Sequence, residues 1–387
     1  MKILHIISSV NPANGGPIEG VKQLGRILVE MGHQVEVCSL DAPDAPWVAD
    51  CPLPVFPLGP SYLGYSYTPK LVAWLRSHSV NYDCVLVNGI WQFNSFASRR
   101  ALKGGKTPYF VFTHGMLDPW FKDTYPLKHL KKRLYWRFGE YPVLRDARAV
   151  LFTCEEEKQL ARKSFRPYDS QEAVITYGTS APPGDPATQR ETFLTRYPAL
   201  RDKRLLLYLS RLHEKKGCDL LLEAFARVAQ KDAALHLVMA GPDQTGWVAT
   251  LQQQAARLGI ERRVSWPGML SGDLKWGAYH AADVFVLPSH QENFGIVVAE
   301  AMACAKPVLI SNKINIWREI EADGAGLIAR DDLAGTISLL EQWLAMPNAQ
   351  QEAMRRNALC CFTERFEIHR AAQSLLDTLY AHGVCRA

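Results

Sequence analysis

Two glutamates, Glu292 and Glu300, stand eight residues apart where a strand is followed by a helix. Residues 284–288 are apolar and end in proline, which is typical of a buried parallel strand. Apart from Glu300, residues 296–302 are apolar on every side and contain no helix breaker, which predicts a buried helix. Glu292 then lies in the loop, at the edge where open α/β sheets bind ligands, and Glu300 about one turn inside the helix. A carboxylate in so apolar a helix needs a polar partner, which sugar hydroxyls or a ribose would supply. The alternative is a surface glutamate followed by a capping glutamate.

Two cations, Arg211 and Lys216, follow another apolar strand, 205–209. An amphipathic helix comes next, with four inward positions: Leu221, Leu222, Phe225 and Val228. Fixed cations beside a helix N-terminus predict a diphosphate site. The alternative is a solvated basic loop.

Two features of the N-terminal half also lie at predicted strand ends. Gly15 and Gly16 follow the strand 2–8, and paired glycines let the backbone approach a phosphate or a sugar, although many such pairs only form a turn. Pro17 stands where a dinucleotide fingerprint requires glycine, which argues against a dehydrogenase. His114 and Gly115 end the apolar strand 109–113, whereas His5 lies within the first strand and is expected to be structural.

Together these motifs resemble those of the retaining glycosyltransferases of family four. The resemblance rests on Ser289, Glu292, Phe294 and Gly295, on the runs 300–302 and 306–308, on the 209–217 segment, and on Gly15-Gly16 and His114-Gly115. It implies the GT-B fold, in which two Rossmann-like domains with mostly parallel sheets face each other across a cleft and a C-terminal helix crosses back onto the N-terminal domain.

The resemblance also implies roles for individual residues. Arg211 and Lys216 would meet the donor diphosphate, with Gly15 and Gly16 across from it. Glu300 would accept hydrogen bonds from the ribose, and Glu292 would hold the sugar hydroxyls together with the backbone of Asn293, Phe294 and Gly295. The nucleotide base would contact the backbone at Met269 and Leu270. His114 would polarise and position the donor sugar. The expected catalytic residues are therefore His114, Arg211, Lys216 and Glu292.

The chain departs from the family pattern at two places. Residues 176–178 replace the usual Pro-Asn-Gly of the linker, and Ala305 stands where a glycine is usual. If Ala305 is left-handed, its side chain costs about 1–2 kcal/mol.

Length and composition suit two α/β domains. With 387 residues we expect an N-terminal domain over 1–180, a linker over 181–203, a donor domain over 204–365 and a final helix over 366–387. Strands are predicted at 2–8, 34–39, 83–88, 108–113, 148–152, 173–176, 204–209, 235–240, 263–266, 284–288, 307–311 and 326–329. A net charge of +5 does not suggest nucleic acid, and nine scattered cysteines, such as the core candidates Cys38, Cys84 and Cys304, favour the cytoplasm.

The sequence therefore predicts a retaining hexosyltransferase that uses a nucleotide-sugar. UDP-sugars are the first expectation for the donor and GDP-mannose the second. No Asp-x-Asp triplet occurs, so neither a metal nor another cofactor is expected. A sugar-nucleotide epimerase of the same fold and a non-catalytic nucleotide-binding protein remain alternatives.

A basic segment over 120–148 suggests where the protein contacts its acceptor. Leucines recur at helical spacing, and cations are interleaved at Lys128, Lys131, Lys132, Arg133 and Arg137. Such a helix can lie on anionic lipid, which predicts a lipid-linked or polysaccharide acceptor in exopolysaccharide or envelope synthesis and a peripheral position on the inner face of the cytoplasmic membrane. The alternative is a helix that packs Leu127, Leu130 and Leu134 into the core.

Overall fold

The chain forms two compact units. The computed structural model describes residues 1–244 and 246–385, without the side chains of Phe121 and Asp123. Unit 1 comprises Met1–Gly178 and the chain from Ile368 onward, and unit 2 comprises Thr179–Glu367.

Unit 1 is built on a seven-stranded parallel sheet with the strand order β3-β2-β1-β4-β5-β6-β7. The strands are β1 (Lys2–Ile7), β2 (Gln34–Ser39), β3 (Val55–Pro57), β4 (Cys84–Asn88), β5 (Tyr109–Phe112), β6 (Ala149–Phe152) and β7 (Glu172–Val174). Its helices are α1 (Gly16–Glu30), α2 (Pro46–Ala49), α3 (Lys70–His78), α4 (Phe93–Leu102), α5 (Trp120–Thr124), α6 (Pro126–Trp136), α7 (Glu140–Asp146), α8 (Glu155–Ser164) and the C-terminal helix (Ile368–Ala381), with 3-10 turns at Pro12–Asn14 and Ser79–Asn81.

Each face of this sheet carries its own apolar core. Ile3 and Ile7 of β1 belong to the cluster that includes side chains of α1 and of the C-terminal helix. Leu4 and Ile6 belong to the second cluster, with side chains of α3, α4 and α7. This alternation follows from the two-residue period of a strand. The predicted return of the last helix to the N-terminal domain is confirmed.

Unit 2 contains a six-stranded parallel sheet with the order β10-β9-β8-β11-β12-β13. The strands are β8 (Arg204–Leu209), β9 (Leu235–Ala240), β10 (Val264–Gly268), β11 (Val284–Leu287), β12 (Val308–Ser311) and β13 (Gly326–Ala329). Its helices are α9 (Pro186–Arg196), α10 (Cys218–Ala229), α11 (Val248–Arg257), α12 (Gly272–Ala281), α13 (Ile296–Ala303), α14 (Trp317–Ala322), α15 (Leu333–Ala345) and α16 (Asn348–Cys361); 3-10 turns lie at Pro198–Leu200, Glu214–Lys216 and Glu261–Arg263, and a π-helical turn at Phe362–Phe366. The C-terminal helix of unit 1 is therefore α17.

The strand order of unit 2 reverses between β8 and β11, since β9 lies on one side of this pair and β12 on the other. Loops that leave the carboxyl ends of two such strands diverge, and ligands bind in the crevice that this divergence creates. Among the residues selected from sequence, Arg211 and Lys216 lie in the loop after β8 and Glu292 in the loop after β11.

The predicted strands all occur, but the sequence missed β3. This strand has three residues, ends in Pro57 and pairs only with β2 at the sheet edge. A three-residue edge strand is too short to show an alternation of apolar and polar residues in the sequence. The left-handed conformation expected at Ala305 is present, with φ 55°. Cys38, Cys84 and Cys304 are buried, as expected of core residues.

Two segments differ from what the sequence suggested. Residues 181–203, predicted as a linker, lie in unit 2 and contain α9, whose Phe193 and Leu194 are buried. This helix approaches α12 closely because Gly277 has no side chain, and a Cβ there would lie 2.1 Å from the Gln189 carbonyl.

In α6, the alternative that the leucines pack into the core is wrong: Leu127, Leu130 and Leu134 are 83%, 48% and 71% exposed. No helix within the described part of the chain is long and apolar enough to cross a membrane.

Candidate active site

A buried ion pair joins the loop after β8 to the loop after β11. The Lys216 ammonium donates to Glu292 Oε2, and the Lys216 side chain is 5% exposed while that of Glu292 is 23% exposed. The pair therefore opens to solvent on its carboxylate side. Two residues that the sequence selected from separate motifs are brought together in one site.

The close approach of the two loops has a steric cause. Gly217 follows Lys216 with φ 66°, and a Cβ at this position would lie 2.3 Å from the Pro288 carbonyl oxygen. The His290 N–H donates to the Lys215 carbonyl at 2.8 Å, and Ser289 Oγ donates to the same oxygen at 3.1 Å. One backbone and one side-chain hydrogen bond thus hold the lysine loop against the glutamate loop.

The backbone of Glu292 is held independently of its side chain. Its N–H donates to the Lys313 carbonyl at 2.9 Å, and its own carbonyl accepts from the Asn315 N–H at 3.1 Å. The carboxylate is therefore pre-positioned at the end of β11.

Electrostatics keep Glu292 ionised. Burial would raise the pKa of this carboxyl, but Lys216, Lys215 and Arg211 together outweigh burial, and the pKa lies below its ordinary value. Arg211 itself is exposed, and its carbonyl accepts from the buried Tyr208 hydroxyl at 2.8 Å. Three cations thus influence one carboxylate, which leaves net positive charge for an anionic ligand.

Glu300 has protein partners, contrary to the expectation that a ligand must supply them. Lys275 Nζ donates to Oε1 at 2.5 Å, and the Tyr279 hydroxyl donates to Oε2 at 3.1 Å. Both partners lie on α12, and the Glu300 side chain is only 6% exposed. A carboxylate oxygen can accept more than one hydrogen bond, so these partners do not prevent a further contact.

Gly295 begins α13 in the left-handed region, with φ 74°. A Cβ at Gly295 would lie 3.2 Å from Glu292 Cγ, so α13 starts beside the Glu292 side chain. The start of a helix leaves its first N–H groups without intrahelical acceptors. Phe294 is buried and packs edge-on against Phe366 at 5.6 Å between ring centroids. Of the two residues expected to contact the nucleotide base, Met269 is 74% exposed and Leu270 is buried.

In unit 1, the predicted glycines lie at the start of α1. Gly15 is the N-cap residue with φ 79°, and Gly16 is the first residue of the helix. Both are exposed, and a Cβ at Gly15 would meet nothing within 4 Å. There is room for a side chain at Gly15, so the positive φ, and not a lack of space, is what requires glycine there.

His114 follows β5 in a strained turn. Its φ is 47° and that of Gly115 is 72°. The imidazole stacks on Phe112 with 5.4 Å between ring centroids, and its Nε2 lies 3.2 Å from Asn88 Oδ1.

A buried carboxylate that the sequence did not single out as a site residue holds this turn. Glu157 of α8 accepts from the Gly115 N–H at 2.6 Å and from Thr113 Oγ1 at 2.7 Å. The N–H and hydroxyl of Thr153 donate to its other oxygen, each at 2.7 Å. A glutamate in the first turn of a helix normally indicates capping, so only the tertiary contacts distinguish it.

Two known protein families match this chain, one in each unit. Residues 189–359 match the family described as Glycosyl transferases group 1, and residues 15–178 match that described as Glycosyl transferase 4-like domain. The chain therefore carries a group 1 glycosyltransferase domain in unit 2 and a glycosyltransferase 4-like domain in unit 1.

Similar proteins carry related names. A D-inositol 3-phosphate glycosyltransferase of Geodermatophilus obscurus is 33% identical over 233 residues, which are 57% of this chain and 50% of that protein. The match with this relative thus spans half of its length. Mannosylfructose-phosphate synthase of Agrobacterium fabrum is 24% identical over 358 residues, which are 84% of this chain and 78% of that protein.

Solved structures confirm the predicted fold of this chain. Anabaena Alr3699/HepE, in complex with UDP and glucose, superposes with a TM-score of 0.78 at 20% identity, over 98% of this chain and 100% of that one. Sucrose-phosphate synthase of Thermosynechococcus elongatus gives a TM-score of 0.78 at 21% identity, over 98% of both chains.

Proposed function

We propose that this glycosyltransferase moves a hexosyl group from a nucleoside-diphosphate sugar to an acceptor, with retention of anomeric configuration. One observation carries the assignment of the donor site: Lys216 and Glu292 are paired at the switch point of the unit 2 sheet, beside the start of α13. The cations and helix N–H groups suit a diphosphate, while the exposed edge of Glu292 suits sugar hydroxyls.

Charge development explains what the cations do. When the glycosidic bond breaks, negative charge grows on the departing nucleoside diphosphate, and fixed cations stabilise that charge. Arg211 is exposed and can turn toward a phosphate, whereas Lys216 is fixed by Glu292. Arg211 then binds the phosphate directly, and Lys216 both contributes charge and orients Glu292.

UDP is the proposed nucleotide, with GDP as the runner-up. Anabaena Alr3699/HepE is described in complex with UDP and with UDP-glucose, which favours UDP. The absence of an Asp-x-Asp triplet and the presence of Arg211 and Lys216 favour a reaction without a metal. We expect activity to persist in excess EDTA and the first-formed product to keep the donor's anomeric configuration by NMR.

The acceptor is proposed to be lipid-linked or a growing polysaccharide, met at an anionic membrane. Helix α6 exposes Leu127 and Leu134, and Phe138 beyond its end is 76% exposed. Lys128, Lys131 and Arg133 of the same helix are also exposed, and α6 contains no acidic residue. Exposed leucines among cations match a lipid surface with anionic head groups.

A nucleotide panel tests the donor assignment. UDP, GDP and ADP are added separately to the protein, and the shift in thermal unfolding midpoint is measured. A ligand that binds the native state stabilises it by RT ln(1 + [L]/Kd), so UDP should give the largest shift. The same preparations are then incubated with UDP-glucose alone. Interconversion to another UDP-hexose without acceptor would identify an epimerase, whereas a transferase shows only slow hydrolysis.

A further inference from the structure

Helix α6 turns two of its lysines, and not its leucines, toward the rest of unit 1. Lys128, Lys132 and Trp136 follow one another at intervals of four residues and therefore share one face of the helix. Trp136 is fully buried and Lys132 is partly buried, so this face is the inner one. The three exposed leucines lie on the opposite face. An ordinary surface helix has the reverse arrangement, with its apolar side inward, so the inward lysines need an explanation of their own.

Aromatic contacts fix the orientation of this helix. The Phe165 ring stacks on the Trp136 ring at 4.8 Å between centroids and on the His129 ring at 4.6 Å. Trp136 Nε1 also donates to the Pro167 carbonyl at 2.7 Å. These contacts lie about two turns apart along α6, so a rotation of the helix about its axis would break them.

A cavity of about 60 Å³ lies between the inner face of α6 and the rest of unit 1. Side chains of α6, of the segment after β5 and of the residue that follows α8 line it: Lys128, His129, Lys132, Met116, Asp118 and Phe165. At about 10–15 Å³ for each enclosed water, this volume holds roughly four to six waters, which is room for one phosphate group. The rest of a larger ligand must lie outside the cavity.

The lining of the α6 cavity carries net positive charge. Lys132 Nζ lies 4.5 Å from the centroid of the Trp91 ring, and Lys128 Nζ lies 4.8 Å from that of Tyr125, so an aromatic ring positions each ammonium group. Among the described residues that line the cavity, Asp118 carries the only carboxylate, and its Oδ1 accepts from the first N–H of α5 at 2.8 Å. Two positioned ammonium groups suit an anion with several acceptor oxygens.

Lys132 is held at some cost. Burial lowers the pKa of its ammonium group; the Glu140 carboxylate opposes this effect, and the positive charge of Lys128 adds to it. An anion between the two lysines would offset both the burial and the repulsion.

We propose that the α6 cavity binds the phosphate of a lipid-linked acceptor, with Lys128 and Lys132 as the residues that hold it. The proposal rests on the proposed transfer to a lipid-linked acceptor and adds that this acceptor carries phosphate. A helix in a membrane interface buries its apolar face about 5–10 Å below the head groups, and a helix with its side chains is about 10–12 Å across. The inner face of α6 would then lie at the level where a lipid-linked phosphate leaves the bilayer.

Inorganic pyrophosphate tests the cavity in solution. Saturating UDP first occupies the proposed donor site of unit 2, and pyrophosphate binding is then measured by calorimetry. Lys132→Gln and Lys128→Gln should each bind at least about tenfold more weakly than the wild type, because each removes a charge-assisted contact. Lys131→Gln is the matched control, since this exposed neighbour does not line the cavity, and it should bind like the wild type.

Equal pyrophosphate binding by all four proteins would overturn the proposal, as would the absence of binding to the wild type. If Lys132→Gln does not fold, the exposed Lys128 decides through its own variant. A failure of UDP to bind would contradict the donor assignment, whereas the α6 cavity is judged by pyrophosphate alone.

Vesicles distinguish a lipid-linked phosphate from ordinary phospholipid head groups. Phosphatidylcholine vesicles that contain a polyprenyl diphosphate are compared with phosphatidylcholine vesicles that contain phosphatidylglycerol at equal surface charge. The wild type should bind the diphosphate vesicles at least about tenfold more tightly. Lys132→Gln should lose this preference and keep its binding to phosphatidylglycerol, whereas Lys131→Gln should bind both kinds more weakly and keep the preference. A wild type without preference, or a Lys132 variant that retains it, would overturn the proposal.

Discussion

Lys216 and Glu292 form a largely buried ion pair at the point where the strand order of the unit 2 sheet reverses. The lysine ends the turn after β8 and the glutamate lies within the loop after β11, so two motifs that are 76 residues apart act as one structural element. A lysine that only contacted a donor phosphate would, when replaced, affect turnover far more than stability. The pair changes this expectation, because removing the lysine leaves a half-enclosed carboxylate without its main partner.

Lys216→Met should lower the free energy of unfolding by about 1.5–3 kcal/mol, the usual range for a lost hydrogen bond to a charged group. Glu292→Gln alone and the double variant complete a double-mutant cycle in urea. A coupling energy of at least about 1 kcal/mol is expected. Coupling indistinguishable from zero would mean that the pair has no energetic role. Arg227→Ala, an exposed change on α10, serves as the control and should be neutral.

Lys275 should matter for the donor although it came from no sequence motif. Lys275→Met removes the cation that holds Glu300 Oε1 and leaves the Tyr279 hydroxyl on Oε2. We expect the carboxylate to shift, and a shifted carboxylate would accept hydrogen bonds from a ribose poorly. We expect KM for the nucleotide-sugar to rise about tenfold, which corresponds to the loss of roughly one good hydrogen bond. Lys275→Arg, which keeps the cation, should recover most of the affinity. Unchanged KM in the methionine variant would separate Glu300 from donor binding.

Glu140 should make stability fall as the pH rises. Burial raises the pKa of its carboxyl from 4.5 to about 7, against the opposing effects of Ser95, the Trp91 N–H and Lys132. The native state then holds the proton more tightly than the unfolded chain, so this contribution is complete below pH 4.5 and is lost as the pH rises through 7.

Glu140→Gln removes that dependence. Relative to wild type, the variant should gain stability between pH 4.5 and 8, on the order of 2–3 kcal/mol at most. Urea unfolding at several pH values measures the difference. A parallel shift at all pH values would show that Glu140 does not titrate differently in the native state. The exposed Glu30→Gln, on α1, is the matched control.

The sequence predicted the parallel sheets and the glutamate–lysine site because these depend on local patterns. Apolar runs of strand length, each followed by a loop and a helix, define the order of elements, and the turn at Gly217 follows from a glycine in the printed sequence. The family resemblance added the roles of Glu292 and Glu300. Both carboxylates lie where the pattern placed them.

What the sequence missed depends on contacts between distant segments. Lys275 and Tyr279 lie four residues apart on α12 and face Glu300, but nothing local in α12 indicates this. Asn88 and Glu157 likewise gain their roles from the end of β5. The prolines of the segment 181–203 indicate a linker, yet Pro186 begins α9, since proline is well tolerated in the first turn of a helix.

Helix α6 should bring the protein to anionic membranes. Sedimentation with phosphatidylglycerol vesicles is expected at low salt, and sedimentation with phosphatidylcholine vesicles is not. Lys128, Lys131 and Arg133 are the appropriate residues to reverse to glutamate, because they are exposed, whereas Lys132 lies over the Trp91 ring at 4.5 Å. Each cation near such a surface contributes about 1 kcal/mol, so the triple variant should bind at least about 100-fold more weakly.

A matched reversal elsewhere controls for net charge. Arg227, Arg257 and Arg262 are exposed on unit 2, and their change to glutamate alters the charge equally. This variant should sediment like the wild type. Wild-type protein that stays in the supernatant at low salt would contradict the membrane assignment and leave the transferase assignment intact.

The most direct test of the donor site is a calorimetric titration with UDP. Wild-type protein, Arg211→Ala and Arg227→Ala are compared at the same ionic strength and pH. Arg211 is exposed and its side chain supports no described ion pair, so its removal should leave folding intact. We predict that UDP binds the wild type and the Arg227 variant equally and binds the Arg211 variant at least about tenfold more weakly, as expected for the loss of a charge-assisted phosphate contact. Equal UDP affinity in all three proteins would contradict the placement of the diphosphate at this end of the unit 2 sheet.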